Sequence, residues 1–553
     1  MRRCPPAPGR ARPRTGLSVS MGCVLGLLAP LAGAQTLPEG QAGSAWFTDA
    51  AAALQRKLDT GGIAGQGAGQ DGGQPIGRPK NVILFVGSGM GVSTLTAARI
   101  LDGQRRGGSG EENLLPFERF PHTALVKTYS VDAQGADPAG SATAIMSGVK
   151  ANAGTLGMDA DAVRGDCAST DGNRLISALE LAELKGIATG IVSTGSLTDA
   201  LPAAGYANVV EQDWEDDASV PADAAGCEDI ASQFVSFGER VLARHDRAID
   251  GIELAFGGGR QHFLPNEASV DTTDADTTAE GLRADGRNLV DEWQLAYPDG
   301  SVVTDSAGFA SVDSLPVLGL FDAAQMHYEA DRANDRAGEP SLEQMTRRAV
   351  ELLATDPQGY LLVVEAARIG DAHAAGSAAS ALDETLSLAR AVSAARDASD
   401  PADTLILVTA DHAHALTISG YPRRGNPILG KIVAEGKVDP ALASDGLPQT
   451  TLGYPNGRGF RDLGAQTDAD ASYETPPLGG RRDLSAVDTT SAGFHQETLV
   501  PLEATAAGGE DVTLHASGPG ASRVNGVIEQ NVVFHIVERA LQLFDLPSAE
   551  LTP

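Results

Sequence analysis

Short, predominantly apolar segments alternate along this sequence with longer segments whose apolar residues recur at helical spacing. The apolar segments include NVILFVG at 81–87, YLLVVEA at 360–366 and TLILVTA at 404–410. Such runs are typical of strands buried on both faces, and the helices between them are typical of crossovers between parallel strands. The sequence therefore predicts an α/β fold, a three-layer α/β/α sandwich with a mostly parallel central sheet. Functional residues of such sheets gather at the carboxyl ends of the strands.

The alternation is interrupted between residues 421 and 503. This segment is rich in glycine, proline, aspartate and threonine, and its helical periodicity is weak. The segments DVTLHASG and VIEQNVVFHIVERALQLF then restore the strand and helix patterns. We therefore expect an inserted, loop-rich, crown-like subdomain at 421–503, carried by a core that comprises residues 80–420 and 504–553.

The first 34 residues have the pattern of a signal peptide. Five arginines precede an apolar stretch from Met21 to Leu31, and small residues follow at 32–34. The stretch is short and contains Pro30, which favours a cleaved signal over a membrane anchor. We expect an exported protein, periplasmic or extracellular. Residues 35–79 then predict an amino-terminal arm, with a helix near 46–58 and a glycine-rich connector at 61–77.

Composition limits the classes of partner. The chain has 553 residues, 42% of them hydrophobic, and no run after the signal that is long enough to span a bilayer. Asp and Glu number 73 against 41 Lys and Arg, so nucleic acid is not an expected partner. Two cysteines, Cys167 and Cys227, remain after the signal, and a pair in an exported protein favours one disulfide.

Several ordered segments between about Asn81 and Phe544 resemble the alkaline phosphatases. They are NVILFVGSGMG, DPAGSATA, ATGIVST, LLVVEAARIGDAHAAGSAASALDET, TLILVTADHAH, SGYPRRGNPILGK and GGEDVTLHASGP. The resemblance implies a family that uses two zinc ions, one magnesium ion, a serine nucleophile and an arginine that holds the phosphate. It also implies a homodimer, or a heterodimer with a relative, and places the two cysteines where relatives carry a disulfide.

The family's nucleophile pattern is Asp-Ser-Ala, whereas here Asp137 is followed by Pro138. Proline has neither a hydroxyl group nor a backbone N–H, so it cannot attack phosphorus. Ser141 and Thr143 lie further along the same predicted helix, where relatives carry hydroxyl residues for packing. Ser88 lies nearer, but the sequence shows no base beside it.

Other positions of the family pattern also differ. By resemblance, the bridging aspartate is replaced by Ser88, the phosphate-holding arginine by Gln212, and the second zinc's three ligands by Gly370, Ala374 and Ala507. Leu201 likewise stands where the family has a third magnesium ligand. We therefore expect no bound cofactor, or at most one weakly bound metal, since catalytic zinc usually takes three protein ligands.

Some of the family's metal ligands remain. Glu365 matches the magnesium-binding glutamate, and Asp411 and His412 match two ligands of the serine-coordinating zinc. Three further side chains could in principle complete a single rebuilt site: Asp371, His373 and His414. The simpler alternative is that Asp411 and His412 cap a strand end and bind loop amides.

Three functions stay open. The chain is expected to be a non-catalytic homologue with a binding or scaffold role, its ligand unidentified. The alternative is a metal-dependent phosphomonoesterase that uses the rebuilt single-metal site. In the third hypothesis the inserted subdomain at 421–503 is an interaction module.

Overall fold

The computed structural model describes residues 37–64, 78–224, 226–270 and 279–544. A ten-stranded sheet forms the centre of the molecule. In chain order its strands are β1 (Asn81–Gly87), β2 (His122–Lys127), β3 (Ala188–Ser196), β4 (Leu254–Gly258), β5 (Ser301–Val303), β6 (Val317–Leu320), β7 (Tyr360–Ala366), β8 (Thr404–Ala410), β9 (Val512–Ser517) and β10 (Gly526–Glu529). The predicted signal at 1–34 lies outside the described residues.

The strand order is β10-β2-β9-β8-β1-β7-β3-β4-β6-β5. Every neighbouring pair is parallel except the two formed by β9, which is antiparallel to β2 and β8. In the register of the central strands, Gly87 lies beside Ala366 on one side and Ala410 on the other. The carboxyl ends of β7, β1 and β8 therefore meet at one edge of the sheet.

Fifteen α-helices surround the sheet in the described residues. They are α1 (Glu39–Gly43), α2 (Ala45–Ala64), α3 (Val92–Arg105), α4 (Pro138–Ser147), α5 (Ala178–Lys185), α6 (Ala200–Ala203), α7 (Ile230–Val235), α8 (Phe237–His245), α9 (Arg260–Phe263), α10 (Leu289–Ala296), α11 (Ser306–Ser311), α12 (Leu342–Leu353), α13 (Arg368–Ala375), α14 (Ala378–Ala398) and α15 (Val532–Leu541).

Two groups of helices cover the sheet. Helices α3, α12 and α14 pack together in one group, and α2, α4, α5 and α15 pack together in the other; α14 and α15 both contact β1. The predicted α/β sandwich with a mostly parallel sheet is confirmed. Sequence pattern did not single out β2, β4, β5 or β6. Strands β4, β5 and β6 are short, with the sequences LAFGG, SVV and VLGL, and lack the long apolar run that marks β1.

The predicted helix at 46–58 lies within α2, but α2 continues to Ala64. The first four residues of the expected glycine-rich connector are therefore helical. Elongating an existing helix adds one hydrogen bond per residue, which offsets the cost of a glycine, about 1 kcal/mol relative to alanine. The rest of the connector, residues 65–77, lies outside the described residues.

The amino-terminal arm packs on the core of its own chain. Gln41 is buried, and its Nε2 donates to the carbonyls of Ser147 (2.9 Å) and Ile176 (3.0 Å), while its Oε1 accepts from the Ile176 N–H at 2.7 Å. The ring of Phe47 packs against those of Phe534 and His535, with centroids 5.7 and 4.5 Å apart. A polar anchor and an apolar anchor thus fix α1 and α2 to α4 and α15.

Residues 421–503 form loops joined by two-residue strand pairings and one 3₁₀ turn at Ala469–Glu474. The pairings within and beside this segment join 417–418 to 452–453, 456–457 to 500–501 and 461–462 to 494–495. Cys167 and Cys227 form a disulfide with Cα atoms 5.7 Å apart, which confirms that pairing. In the described ranges no helix is long and apolar enough to cross a membrane.

Replacing Gln41 with leucine is expected to lower the free energy of unfolding by about 1–3 kcal/mol, because the buried backbone groups of Ser147 and Ile176 lose their partners. The midpoint of urea-induced unfolding measures this change. Gln358→Leu, the same substitution in an exposed turn, is the matched control. Equal midpoints for the two variants would show that the arm contributes nothing through Gln41.

Candidate functional site

A cleft of about 180 Å³ opens at the carboxyl ends of β1, β3 and β7. Its walls are formed by Ser88, Pro138, Thr198, Asp199, Ala200, Gln212, Asp213, Glu215, Gln325, Glu365, Ala367 and Asp371. The sequence singled out Ser88, Pro138, Gln212, Glu365 and Asp371, and the fold brings all five to this cleft. Five of its lining residues carry carboxyl groups, and none of the described lining residues is Lys or Arg.

Pro138 is the first residue of α4, and Asp137 caps that helix. The Oδ1 atom of Asp137 accepts from the N–H of Gly140 at 3.1 Å, and Oδ2 accepts from Ala139 at 3.2 Å and from Gly154 at 2.7 Å. The first N–H of a helix has no partner within the helix, so a proline there sacrifices no hydrogen bond. Pro138 is therefore compatible with an unstrained start to the helix.

Asp411 follows β8 and binds the loop after β1. Its Oδ1 accepts from the N–H of Gly89 (2.9 Å) and of His412 (2.7 Å), and its Oδ2 lies 3.4 Å from Ser88 Oγ. A carboxylate thus lies near Ser88, which the sequence did not reveal, although 3.4 Å is long for an O–H donor. A Cβ atom built on Gly370 would lie only 2.7 Å from Ser88 Oγ. The Ser88 side chain therefore occupies the space that a side chain at position 370 would need.

His373 is fully buried, and both of its ring nitrogens are engaged. Nε2 lies 3.0 Å from Thr94 Oγ1, and Nδ1 lies 2.6 Å from the hydroxyl of Tyr454. Burial lowers the pKa of His373 to about 3, so the ring is neutral. His414 stacks on this ring with centroids 5.2 Å apart, and burial lowers its pKa as well. Burial alone would also lower the pKa of His412, but the adjacent Asp411 carboxylate raises it above its ordinary value.

Two buried carboxyl groups of the cleft, those of Glu365 and Asp199, favour the protonated state. Burial raises the pKa of Glu365 to about 8, although the Ser193 hydroxyl donates to it at 2.7 Å and opposes the shift. Burial, and then the charges of Glu215 and Glu365, raise the pKa of Asp199 well above its usual range. The cleft consequently disfavours additional negative charge.

Two arginines lie near the cleft, and both are ion-paired. Arg164 contacts both carboxylate oxygens of Glu211, at 2.7 and 2.8 Å. Arg368 is buried and pairs with Asp371 and Asp470, each at 2.8 Å. Neither arginine is among the described residues that line the cleft.

Of the other substituted positions, Ala374 follows His373 in α13, Ala507 lies beside His414, and Leu201 lies in α6. The carbonyl of Ala374 accepts from the Thr505 N–H at 3.0 Å, and Ala507 pairs with His414 in a two-residue strand ladder. Leu201 is buried in α6. The remaining candidate metal ligands are Glu365, Asp371, His373, Asp411, His412 and His414. Within the described residues, no three of these side chains bring one donor atom each to within 4.8 Å of one another.

The sequence from residue 79 to 543 matches the alkaline phosphatase family model. The chain belongs to the alkaline phosphatase family. It is 41% identical over 471 residues to the tissue-nonspecific alkaline phosphatase of Gallus gallus, covering 83% of this chain and 84% of the relative. It is 38% identical over 474 residues to the alkaline phosphatase of Gadus morhua, covering 84% and 92%.

Solved structures show the same fold. The alkaline phosphatase of Thermus thermophilus superposes with a TM-score of 0.57 at 23% identity, covering 85% of this chain and 93% of that chain. The enzyme from the Antarctic bacterium TAB5 gives a TM-score of 0.54 at 19% identity, covering 84% and 99%. The cleft therefore lies on an alkaline phosphatase fold.

Sequence reasoning missed part of the cleft wall. Asp213 and Glu215 belong to the acidic run at 213–217, which directly follows Gln212 and could have been suspected for that reason. Gln325 lies after β6, a strand that the pattern did not reveal, so no sequence signal pointed to it. Its Oε1 accepts from the Ser196 N–H at 2.9 Å, and its Nε2 donates to Asp199 at 3.2 Å.

The Glu365→Gln variant is expected to be more stable than the parent at high pH. Folded Glu365 keeps its proton up to about pH 8, whereas the unfolded chain loses it near pH 4.5. The free energy of unfolding should therefore fall as pH rises through this window, and the cost is complete above pH 8. We expect a gain of about 2–4 kcal/mol at pH 9 and none at pH 4.

Thermal unfolding from pH 4 to 9 measures this difference, with Glu435→Gln at an exposed position as the matched control. If Glu365→Gln lowers stability at pH 9, a bound cation must be compensating the charge of Glu365.

Gly370→Ala is expected to be less costly when Ser88 is also replaced by glycine. The added methyl group conflicts with Ser88 Oγ, so a double-mutant cycle should give a coupling energy of about 0.5–2 kcal/mol. Gly238→Ala in α8, where an added Cβ meets nothing within 4 Å, is the matched control and should stabilise the chain. Additive effects of the substitutions at 88 and 370 would mean that the two positions do not compete for space.

Proposed function

We propose that this chain is an exported, non-catalytic member of the alkaline phosphatase family with a binding or scaffold role. The observation that carries the proposal is the wall of the cleft. Pro138 stands at the start of α4, and no described residue of the wall supplies a positive charge. A phosphate ester would thus meet no hydroxyl group at position 138 and no cationic side chain in the described wall.

Electrostatics supports this reading. Phosphoryl transfer is catalysed mostly by positioned positive charge, because negative charge spreads over the phosphoryl oxygens in the transition state. Here Arg164 and Arg368 are held in ion pairs outside the wall, and five carboxyl groups line it. Gln212 is neutral and cannot form a charged, bidentate contact with phosphate.

The side chains present also fit the family's two zinc ions and one magnesium ion poorly. Ser88 fills the space beside Gly370, and His373 has committed both ring nitrogens to Thr94 and Tyr454. Asp411 has committed one oxygen to two amides. A bound metal would have to displace these contacts before it could bind.

The proposal includes the division of the chain into segments, its oligomeric state and its localisation. We infer a cleaved signal at 1–34, an arm and connector at 35–79, a core at 80–420 and 504–553, and an inserted subdomain at 421–503. Relatives of this family are commonly dimeric, and we expect a homodimer or a heterodimer with a relative. The disulfide Cys167–Cys227 supports export to the periplasm or the extracellular medium.

Hydrolysis of p-nitrophenyl phosphate tests the proposal. The mature chain, purified from a host that lacks alkaline phosphatase and assayed at alkaline pH with zinc and magnesium, should show no turnover above buffer. Pro138→Ser alone should also be inactive, because the parts of a catalytic unit act together and one restored part recovers little.

The positive control restores the family's residue types at six positions together: Ser88→Asp, Pro138→Ser, Gln212→Arg, Gly370→Asp, Ala374→His and Ala507→His. Metal-dependent turnover by the unaltered chain would contradict the proposal if Asp411→Asn abolished it, and would favour a phosphomonoesterase with a rebuilt single-metal site. Turnover that Asp411→Asn leaves unchanged would come from contaminating phosphatase.

Loss of a binding phenotype on deletion of 421–500, with the core still folded, would assign the function to the inserted subdomain.

A further inference from the structure

The sequence contains two Asn-Gly dipeptides, Asn456-Gly457 and Asn525-Gly526, and the fold places them in different surroundings. Glycine has no Cβ atom to shield its backbone nitrogen, so this nitrogen can attack the side-chain Cγ of a preceding asparagine. The attack forms a cyclic succinimide and expels ammonia, and water then opens the ring to aspartate or isoaspartate. Each dipeptide is therefore a chemical candidate for spontaneous deamidation.

The dipeptide Asn456-Gly457 is held firmly in the inserted subdomain. Asn456 Oδ1 accepts from the Ala506 N–H at 2.9 Å, and both residues of the dipeptide pair with the strand at 500–501. Gly457 packs closely against Thr505, because a Cβ atom built on this glycine would lie 2.4 Å from Thr505 Oγ1 and 3.1 Å from its Cα. Ring closure requires the side chain and the backbone to move, and these contacts oppose that movement.

The dipeptide Asn525-Gly526 lies at the start of β10, at the edge of the sheet, and both of its residues are exposed. A Cβ atom built on Gly526 would have Lys57 Nζ at 3.7 Å as its one neighbour within 4 Å among the described residues. Asn525 Nδ2 donates to the carbonyl of Ser522 at 3.1 Å. This dipeptide therefore has the open space and the access to water that Asn456 lacks.

The amino group of Lys57, in α2 of the amino-terminal arm, faces the carboxamide of Asn525. Lys57 Nζ donates to Asn525 Oδ1 at 3.3 Å and also to the backbone carbonyl of the same residue. When the Gly526 nitrogen attacks Cγ, negative charge develops on Oδ1. A positive group already placed beside that oxygen stabilises the charge and lowers the barrier to ring closure.

We propose that Asn525 is a site of spontaneous deamidation in the folded chain, and that the carboxylate it forms pairs with Lys57. The bond between the Gly526 nitrogen and Cγ forms as the bond between Cγ and Nδ2 breaks, and the Gly526 proton leaves with Nδ2 as ammonia. Water then cleaves either the new bond, which gives aspartate, or the original peptide bond, which gives isoaspartate. Water is the sole co-reactant, and no group is oxidised or reduced.

The modification would add an ion pair between the arm and the core. Gln41 and Phe47 fix the beginning of the arm, whereas Lys57 lies further along α2, which also contacts the 3₁₀ turn at 521–523. Aspartate at position 525 would replace a neutral contact of Lys57 with a charged one. The inference concerns a site separate from the cleft and does not depend on the proposed lack of catalysis.

Aspartate is the product that the fold can accommodate. Gly526 pairs with Ala124 and Val527 with Leu125, so β10 is in register with β2 from its first residue. Isoaspartate would add a methylene group to the backbone immediately before this pairing. We therefore expect the folded chain to yield aspartate as its major product.

Peptide mass spectrometry of the mature chain, aged at mildly alkaline pH, tests the modification. In the folded chain Asn525 should gain the mass of the acid at least about tenfold faster than Asn456, a ratio that corresponds to a barrier difference of about 1.4 kcal/mol. In urea, where the fold no longer protects Asn456, the two rates should become similar. Equal rates in the folded chain, or a faster rate at Asn456, would overturn the proposal.

Substitutions of Lys57 test the contribution of the arm. Lys57→Met keeps the apolar part of the side chain and should slow the reaction at Asn525 by about tenfold, because it removes the charge beside Oδ1. Lys57→Arg retains a positive charge and should recover most of the rate. An unchanged or faster reaction in Lys57→Met would show that Lys57 does not promote ring closure.

The variant Asn525→Asp represents the expected product. Its urea unfolding midpoint at low salt should exceed that of the parent, and the gain should disappear when Lys57→Met is also present. Asn456→Asp is the matched control, and its effect should not depend on Lys57. A gain that persists without Lys57, or no gain at all, would overturn the proposed ion pair, and isoaspartate as the major product would contradict the role of β10.

Discussion

The parallel pairing of β1 with β7 and β8 determines where everything else lies. All three strands are buried, and their register brings Gly87, Ala366 and Ala410 side by side. Ser88, Glu365 and Asp411 therefore meet at one edge, whatever chemistry they support. A shift of register by one residue would exchange the side chains of the two faces, so the close packing of individual side chains in the two helix layers fixes the register.

Several side chains of this edge already have hydrogen-bond partners within the protein. Asp137 caps α4, Asp411 binds two loop amides, and Ser193 donates to Glu365. Proline at the start of α4 and serine beside Gly370 fit their surroundings without a clash. These contacts allow a charged edge to fold, and each of these side chains would have to leave a present partner to bind a metal ion.

The sequence predicted the sheet and many of the cleft residues because both are marked by long continuous segments, namely apolar strand runs and motifs of the family. The runs at 81–87, 360–366 and 404–410 are apolar enough to mark strands on their own, and the motifs around Pro138 and Asp411 are collinear with the family. Short strands such as VLGL at 317–320 carry no such signal, so the loop after them could not be placed. The position of Gln325 in the cleft wall depends on that placement and became visible only in three dimensions.

Hydrogen-bond partners explain how this edge holds its buried ionisable side chains. A buried carboxylate or imidazole costs several kcal/mol unless donors or acceptors replace the lost water. His373 has Thr94 and Tyr454, and Asp411 has the amides of Gly89 and His412. At Gly370 the neighbouring space is already filled by Ser88, so a carboxylate side chain there would lack room. Glu365 has one hydroxyl donor, and burial raises its pKa to about 8, so the carboxyl group holds a proton at neutral pH.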